Sequence, residues 1–182
     1  MSSAAELVTT HFWTWLFPAT YLIHIVEEFW GGDGYTRHLA RTRGLDLKAR
    51  RFFALNALGC LLMGLGIVVA SWLRFPQLLL VIFSGAIVAN SLSHVRTAIR
   101  MKEYNPGLIT AFAIWIPLGV YTAIALAGLM ETPRYLAGAA IGLGIQLIVS
   151  LAKFGGGRTE GSREGNSVSP EAPDLDSTSR ST

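Results

Sequence analysis

Apolar residues in this chain fall in long unbroken blocks, unlike the alternating pattern of a half-buried helix or strand in a soluble protein. A bilayer core about 30 Å thick needs roughly 20 apolar residues per helix. The blocks match that length and predict an all-α fold, a polytopic membrane helix bundle with about five transmembrane helices. The five predicted spans are Phe12–Trp30, Phe52–Leu73, Gln77–Val95, Leu108–Met130 and Tyr135–Phe154.

The first block differs from the others because it contains His24, Glu27 and Glu28. Charged side chains are costly at the centre of a bilayer, so two alternatives stay open for this block. It either spans the membrane or forms a re-entrant or interfacial helix. Residues 1–10 contain Glu6 but neither Lys nor Arg, so they lack the positive region of a cleavable signal peptide. The first helix is therefore predicted to be retained.

Basic residues are distributed unevenly between the two sides of the predicted bundle. With five spans, thirteen Lys and Arg fall on one side, and only Arg74 and Arg134 fall on the other. The positive-inside rule then places the N-terminus outside and the C-terminus in the cytoplasm. The thirteen are Arg37, Arg41, Arg43, Lys48, Arg50, Arg51, Arg96, Arg100, Lys102, Lys153, Arg158, Arg163 and Arg180.

Composition divides the chain into two regions. Residues 1–154 form the predicted transmembrane helical domain, and residues 155–182, rich in Gly, Ser, Glu and Pro, are predicted to be a disordered cytoplasmic tail. A single cysteine, Cys60, excludes an intramolecular disulfide. The bilayer is the expected environment, no nucleic-acid partner is predicted, and the oligomeric state is left open.

Segment one carries a compact group of polar side chains. His24, Glu27 and Glu28 are spaced i, i+3 and i+4, which places them on one face of a helix. Tyr21, one turn earlier, extends that patch. Ionisable residues within membrane segments are usually functional, so this patch is the first candidate site.

Segment three supplies partners at the same predicted depth. Asn90 and His94 are four residues apart near its end, and segments one and three run in the same direction. The two groups are therefore expected to meet at the predicted cytoplasmic face, with helices one and three adjacent. The turn at Pro106-Gly107 places Tyr104 near the same mouth.

These motifs together resemble those of a known family. The combination of His24-x-x-Glu27-Glu28, a later His94 and Tyr104-x-Pro106-Gly107 is similar to the HXXEE-domain family of small integral membrane proteins, over roughly residues 12–130. The resemblance implies a small multi-helix membrane protein. It brings no catalytic residue to carry over, so function is argued from the side chains.

A metal site is the sharpest functional hypothesis. His24, Glu28 and His94 would form a two-histidine, one-carboxylate set, as in catalytic zinc sites. Glu27 would act as the base that activates water, although the roles of Glu27 and Glu28 are interchangeable at this level. Asn90 would not bind the metal itself but would hold one of the ligands in orientation. The cofactor is then a divalent metal, with zinc as first choice, and the protein a metal-dependent membrane hydrolase acting on lipid or membrane peptide.

Several alternatives remain open. The same residues could form a structural hydrogen-bond network between helices. They could also relay protons or cations, although the ionisable groups cluster at one end. His24 and His94 could ligate haem. A metal-free hydrolase would use a Glu-activated water, as in the CAAX-type membrane proteases, whose pattern has an Arg where this chain has Gly32.

The many basic residues in the loop after segment one are mainly explained by the positive-inside rule of membrane topology. A second interpretation is that three of its arginines bind anionic lipid head groups near the site. His38 and His11 are assigned to the surface. The three arginines are Arg37, Arg41 and Arg43.

Overall fold

A computed structural model describes the backbone of residues 4–154 and the side chains of residues 12–152. The regular secondary structure of this part of the chain is all helical, as predicted, and the described residues contain no strand. The fifth helix includes a π-helical turn at Ala111–Trp115. The helices are α1 (Ala4–Trp30), α2 (Tyr35–Arg43), α3 (Ala49–Trp72), α4 (Pro76–Met101), α5 (Leu108–Ala127) and α6 (Thr132–Phe154).

Four of these helices, α3 to α6, are long and apolar enough to cross a membrane. They correspond to the second to fifth predicted segments. The described part of α1 does not meet the same standard of hydropathy, and its carboxylates and imidazole explain why. Among the described residues, four helices are therefore candidate spans by length and composition, and α1 is an additional long helix.

Helix α1 nevertheless runs along the bundle from one end to the other. It is 27 residues long, or about 40 Å. The Trp13 indole donates to Thr122 near the end of α5, whereas Glu27 accepts from Thr110 near its start. Helices α1 and α5 are therefore antiparallel neighbours over most of their length.

Helix α4 is the centre of the bundle and packs against α1, α3, α5 and α6. Its sequence is apolar on all sides for most of its length, which suits a helix surrounded by others. Leu80, Val81 and Ile87 are buried in the core with Phe17 of α1 and Trp115 of α5. The predicted adjacency of segments one and three, now α1 and α4, is confirmed.

Glycines allow α4 and α6 to approach closely. A Cβ atom built on Gly142 would lie 2.3 Å from the carbonyl oxygen of Ile82 and 2.9 Å from the amide nitrogen of Ala86. Gly138, one turn earlier, faces Leu78 and Val81. Small residues bring membrane helices into backbone contact in this way. The two glycines of Gly138-x-x-x-Gly142 therefore pack α6 against α4 within this chain.

The start of α5 is irregular. Gly107, in the left-handed region at φ 92°, leads into the helix, and the amide of Ile116 bonds to the carbonyl of Ala111, which is the i to i+5 pattern of a π-helix. Pro117 follows at once and has no amide hydrogen to donate. This wider turn carries the helix past the proline.

The basic loop after α1 contains a short helix that the sequence did not predict. Helix α2 has only nine residues, and its buried Leu39 packs with Leu47 and Phe52 in a small apolar cluster. The assignment of His38 to the surface was wrong, because α2 folds back and leaves that side chain 3% exposed. The side chain of His11 lies outside the described residues.

The C-terminal ends of α1 and α4, helix α2 and the start of α5 meet at one end of the bundle, called the site end below. Charge predicts that this end is cytoplasmic, and the orientation stays a prediction. The predicted tail, residues 155–182, lies outside the described residues.

A substitution at Gly142 tests the close contact between α4 and α6. Gly142→Ala forces the two backbones apart and should lower stability by about 1–3 kcal/mol. Gly144→Ala is the matched control, because Gly144 has no neighbour within 4 Å and alanine favours a helix. Thermal unfolding in detergent measures both. Equal melting temperatures for the two variants would contradict the packing described here.

Candidate functional site

Two histidines and one carboxylate converge at the site end. Glu28 Oε1 lies 3.7 Å from His24 Nε2 and 3.4 Å from His94 Nε2. The imidazole rings are 5.1 Å apart, edge to face, and the three side chains are buried. The predicted meeting of segment one with segment three is therefore confirmed.

The spacing of these atoms suits a metal ion. One potential ligand atom from each of His24, Glu28 and His94 lies within 4.8 Å of the others. Zinc bonds of about 2.0–2.2 Å in tetrahedral geometry separate neighbouring ligand atoms by roughly 3.3 Å. The two measured distances to Glu28 are close to that value. The donor set itself, two imidazoles and a carboxylate, is one that divalent metals accept.

His24 is held in place by two residues of α5. Its Nδ1 lies 2.7 Å from the Thr110 hydroxyl, and its ring stacks on Trp115 with centroids 3.9 Å apart. The Thr110 hydroxyl donates to Glu27 at 2.5 Å, so it accepts the Nδ1 hydrogen of His24. This arrangement leaves the lone pair on Nε2, the nitrogen that faces Glu28.

His94 is held by the loop before α5. The Asn105 amide nitrogen donates to His94 Nδ1 at 3.0 Å and to the His94 carbonyl at 3.3 Å. His94 then carries its proton on Nε2, directed at Glu28. Metal binding through Nε2 would place the proton on Nδ1, and the amide oxygen of Asn105 would accept it after rotation of that group.

Asn90 contacts His24 at the ligating nitrogen. Its amide nitrogen lies 3.3 Å from Nε2, and its amide oxygen accepts from Gln146 of α6 at 2.6 Å. The opposite ring nitrogen, where an orienting residue normally bonds, is occupied by Thr110. The amide of Asn90 would have to turn away when Nε2 binds a metal.

Glu27 points in a different direction from Glu28. Its carboxylate accepts from the amides of Ile109 and Thr110 at 2.8 and 2.6 Å, from the Thr110 hydroxyl, and from Tyr104 at 2.7 Å. These amides belong to the first turn of α5, so Glu27 of α1 caps another helix. Its assigned role as general base stays a prediction.

The two predicted supporting tyrosines lie on different sides of this group. Tyr104 is above Glu27, and burial together with that hydrogen bond raises the pKa of its hydroxyl. Tyr21 lies one turn below His24, stacks on Trp115 and donates to Asn56 of α3 at 2.7 Å. Tyr104 therefore lies at the outer end of the site, and Tyr21 lies at its inner end, towards the middle of the bundle.

Gly107 lies directly against the three candidate ligands. A Cβ atom there would approach Cε1 of His24 and of His94 to 2.8 Å, and Cγ of Glu28 to 3.0 Å. Only glycine fits this space, and the positive φ of the residue favours glycine as well. The Pro106-Gly107 turn therefore forms one wall of the site.

Four residues that contribute to the site were not predicted from the sequence as part of it. They are Thr110, Trp115, Asn105 and Gly107, the last of which forms one wall of the site. Asn105 and Gly107 stood in a motif that was interpreted as a turn near the mouth. Thr110 had a weak signal, since hydroxyl residues are common in the first turn of a helix after a turn motif. Trp115 carried none, because an aromatic residue in an apolar segment normally faces the core or lipid.

A cavity of about 30 Å³ reaches His94 and Asn90 from the side of α2. It has room for one or two water molecules. That space is far too small for a porphyrin, which argues against the haem alternative. A proton path across the bundle would need ionisable groups along its length, whereas the buried ones in the described part lie at the site end.

Residues 15–122, more than half of the chain, match a family model described as a protein of unknown function with HXXEE motif. The chain belongs to the HXXEE family. No curated protein and no solved structure matched. In this HXXEE protein the motif's His and second Glu face one centre, and its first Glu caps α5.

Replacement of Glu27 tests its structural role in this HXXEE protein. Glu27→Gln puts an amide nitrogen among four donors, so at least one donor loses its acceptor. We expect a loss of about 1–3 kcal/mol in the free energy of unfolding. Glu131→Gln, at an exposed position just before α6, is the control. Unchanged thermal stability of Glu27→Gln would show that the capping contacts do not support the fold.

A substitution at Gly107 tests the wall of the site. Gly107→Ala should cost about 1–3 kcal/mol more than Gly44→Ala, because both residues have a positive φ but only Gly107 has close neighbours. Thermal unfolding compares the variants. Similar losses at the two positions would mean that backbone conformation alone explains the need for glycine.

Proposed function

We propose that this HXXEE protein is a membrane-embedded, metal-dependent hydrolase. His24, Glu28 and His94 would hold a divalent ion, with zinc as first choice, and the substrate would be a lipid or a membrane peptide. The observation that carries the proposal is the convergence of two buried imidazole nitrogens on one buried carboxylate oxygen.

The set of two histidines and one carboxylate favours a catalytic metal site over a purely structural one. Catalytic zinc sites commonly combine three protein ligands with one open position, and two histidines with one glutamate are a known set. When bound, the ion would supply Lewis-acid activation of water and of the substrate's carbonyl or phosphoryl oxygen. The cavity beside His94 would admit water to that position.

The remaining side chains would position the ligands. Thr110 holds the Nδ1 proton of His24 and passes the hydrogen bond on to Glu27, so the ring presents Nε2 to the centre. The contacts of Glu28 support its role as a ligand. The contacts of Glu27 support a positioning role, because donors of α5 and Tyr104 occupy its oxygens.

A non-catalytic network is the second candidate function, and Glu27 is the observation that favours it. Four hydrogen bonds tie its carboxylate to the start of α5 and to the preceding loop. Such a network joins α1 to the bundle without any metal. The two candidates differ in one property, which is whether the purified protein binds an ion.

Metal content separates the two candidates. Detergent-purified wild type should contain close to one divalent ion per chain by mass spectrometry, and His24→Ala/His94→Ala should contain none. His38→Ala is the control, because His38 is also buried but lies outside the ligand group. The folded state of every variant is checked by thermal unfolding.

Absence of metal from folded wild type, even after incubation with zinc, manganese or iron, would refute the metal centre and leave the structural network. If the ion is present, hydrolysis of lipid esters and membrane peptides is measured next with metal-loaded protein. Glu28→Gln should abolish that hydrolysis together with the metal. Full activity without the metal would contradict a metal-dependent mechanism.

A further inference from the structure

A second feature of the site end is an open groove of about 690 Å³ beside the C-terminal half of α4. Arg43 from the last turn of α2, with Arg96 and Arg100 of α4, provides three guanidinium groups along its lining. Arg96 and Arg100 are four residues apart and therefore share one face of the helix.

Among the described side chains, residues 12–152, none that lines this groove is acidic. The nearby carboxylates are engaged elsewhere, since Glu103 lies 3.0 Å and Asp33 3.5 Å from Arg41. Within residues 12–152, neither Arg96 nor Arg100 forms an ion pair with a carboxylate. The guanidinium groups of Arg96 and Arg100, collected in one concavity, would attract a phosphate, which they can bind through bidentate hydrogen bonds.

Serine hydroxyls add neutral hydrogen-bond donors to the same lining. Ser93 of α4 and Ser150 of α6 line the groove together with Thr97, whose hydroxyl already donates to the Ser93 carbonyl at 2.8 Å. Thr97 accepts a long hydrogen bond from Arg43 at 3.5 Å. A phosphate in the groove would thus meet both guanidinium donors and serine hydroxyl donors.

The groove also has an apolar part, and its position along α4 is informative. Leu92, one turn before Arg96, is 57% exposed, and Ala89 lies a further turn towards the middle of the helix. Arg96 and Arg100 follow towards the helix end. Apolar side chains at membrane depth followed by cations near the surface reproduce the order of acyl chain and head group in a phospholipid.

The groove adjoins the cavity that reaches the candidate metal centre. Arg43, Ser93, Thr97 and Ser150 line both spaces, and the smaller one continues to Asn90 and His94. A head group bound by the arginines would therefore lie at the entrance used by water.

We propose that this groove binds the phosphate of an anionic phospholipid through Arg43, Arg96 and Arg100. We extend this, on the basis of the proposed function, to the substrate: the metal centre acts on a phospholipid held in the groove. Arg43 was one of three arginines expected to bind lipid. Arg41 is engaged by two carboxylates, and Arg37 does not line the groove.

Native mass spectrometry of detergent-purified protein tests the binding site. Wild type is titrated with dioleoyl phosphatidic acid and, separately, with dioleoyl phosphatidylcholine. We expect preferential binding of phosphatidic acid, and Arg96→Gln/Arg100→Gln should weaken that binding about tenfold or more. Arg37→Gln/Arg50→Gln removes the same charge from exposed positions outside the groove and should change the affinity less than about threefold.

Two results would overturn the proposal that the groove binds an anionic phospholipid. Equal loss of affinity in the two double variants would mean that general surface charge attracts the lipid. Displacement of phosphatidic acid by an equal concentration of glycerol 3-phosphate would identify a soluble phosphate ester as the ligand. Thermal unfolding confirms that both variants fold, which is expected because the four arginines are exposed.

Measuring metal content alongside lipid binding separates the phospholipid groove from the proposed function. His24→Ala/His94→Ala should lose the metal and keep its affinity for phosphatidic acid, whereas Arg96→Gln/Arg100→Gln should keep the metal and lose the lipid. Metal-free wild type that still binds phosphatidic acid selectively would refute the hydrolase alone. Metal-loaded wild type that binds both lipids equally would refute the groove alone.

Discussion

The Glu27 carboxylate joins helix α1 to the first turn of α5, and the arrangement of the site end depends on that contact. Without this carboxylate, the amides of Ile109 and Thr110 would be among the unpaired donors at the start of a helix. The same contact fixes Thr110, and Thr110 fixes the tautomer and orientation of His24. One carboxylate thus helps determine both how two helices pack and which nitrogen His24 presents to Glu28.

Glu28, the next residue, belongs to a separate arrangement. Adjacent residues on a helix point about 100° apart, so Glu27 faces α5 while Glu28 faces His24 of its own helix and His94 of α4. A buried carboxylate needs nearby positive charge or strong donors to remain ionised. Two imidazoles with a metal ion between them would satisfy that need more completely than imidazoles alone. The HXXEE motif therefore combines a helix-capping residue with a potential ligand in consecutive positions.

Long apolar segments made most of the bundle predictable from sequence. Helices α3 to α6 follow from block length alone, and the meeting of His24 with His94 follows from parallel helices and equal depth. Helix α2 was not predictable in this way, because nine residues in a charged loop show too little periodicity, and the burial of His38 depends on it.

The division of labour between Glu27 and Glu28 was also beyond the sequence. A helical-face argument placed both in one patch, and only the antiparallel packing of α1 against α5 separates them. Thr110 and Trp115 were missed for the same reason. Their role depends on which face of α5 meets α1, and an apolar segment gives no periodic signal for that choice.

The π-helical turn at Ala111–Trp115 has a consequence for how such a site can change over time. In a regular helix, residues five apart point in clearly different directions, whereas the wider turn brings Thr110 and Trp115 to the same ring of His24. Because that turn contains one additional residue, the first part of α5 is rotated about the helix axis relative to the rest of the helix. Because Trp115 contacts both the ring of His24 and the apolar core, a substitution there would disturb the candidate ligand and the packing of the bundle together.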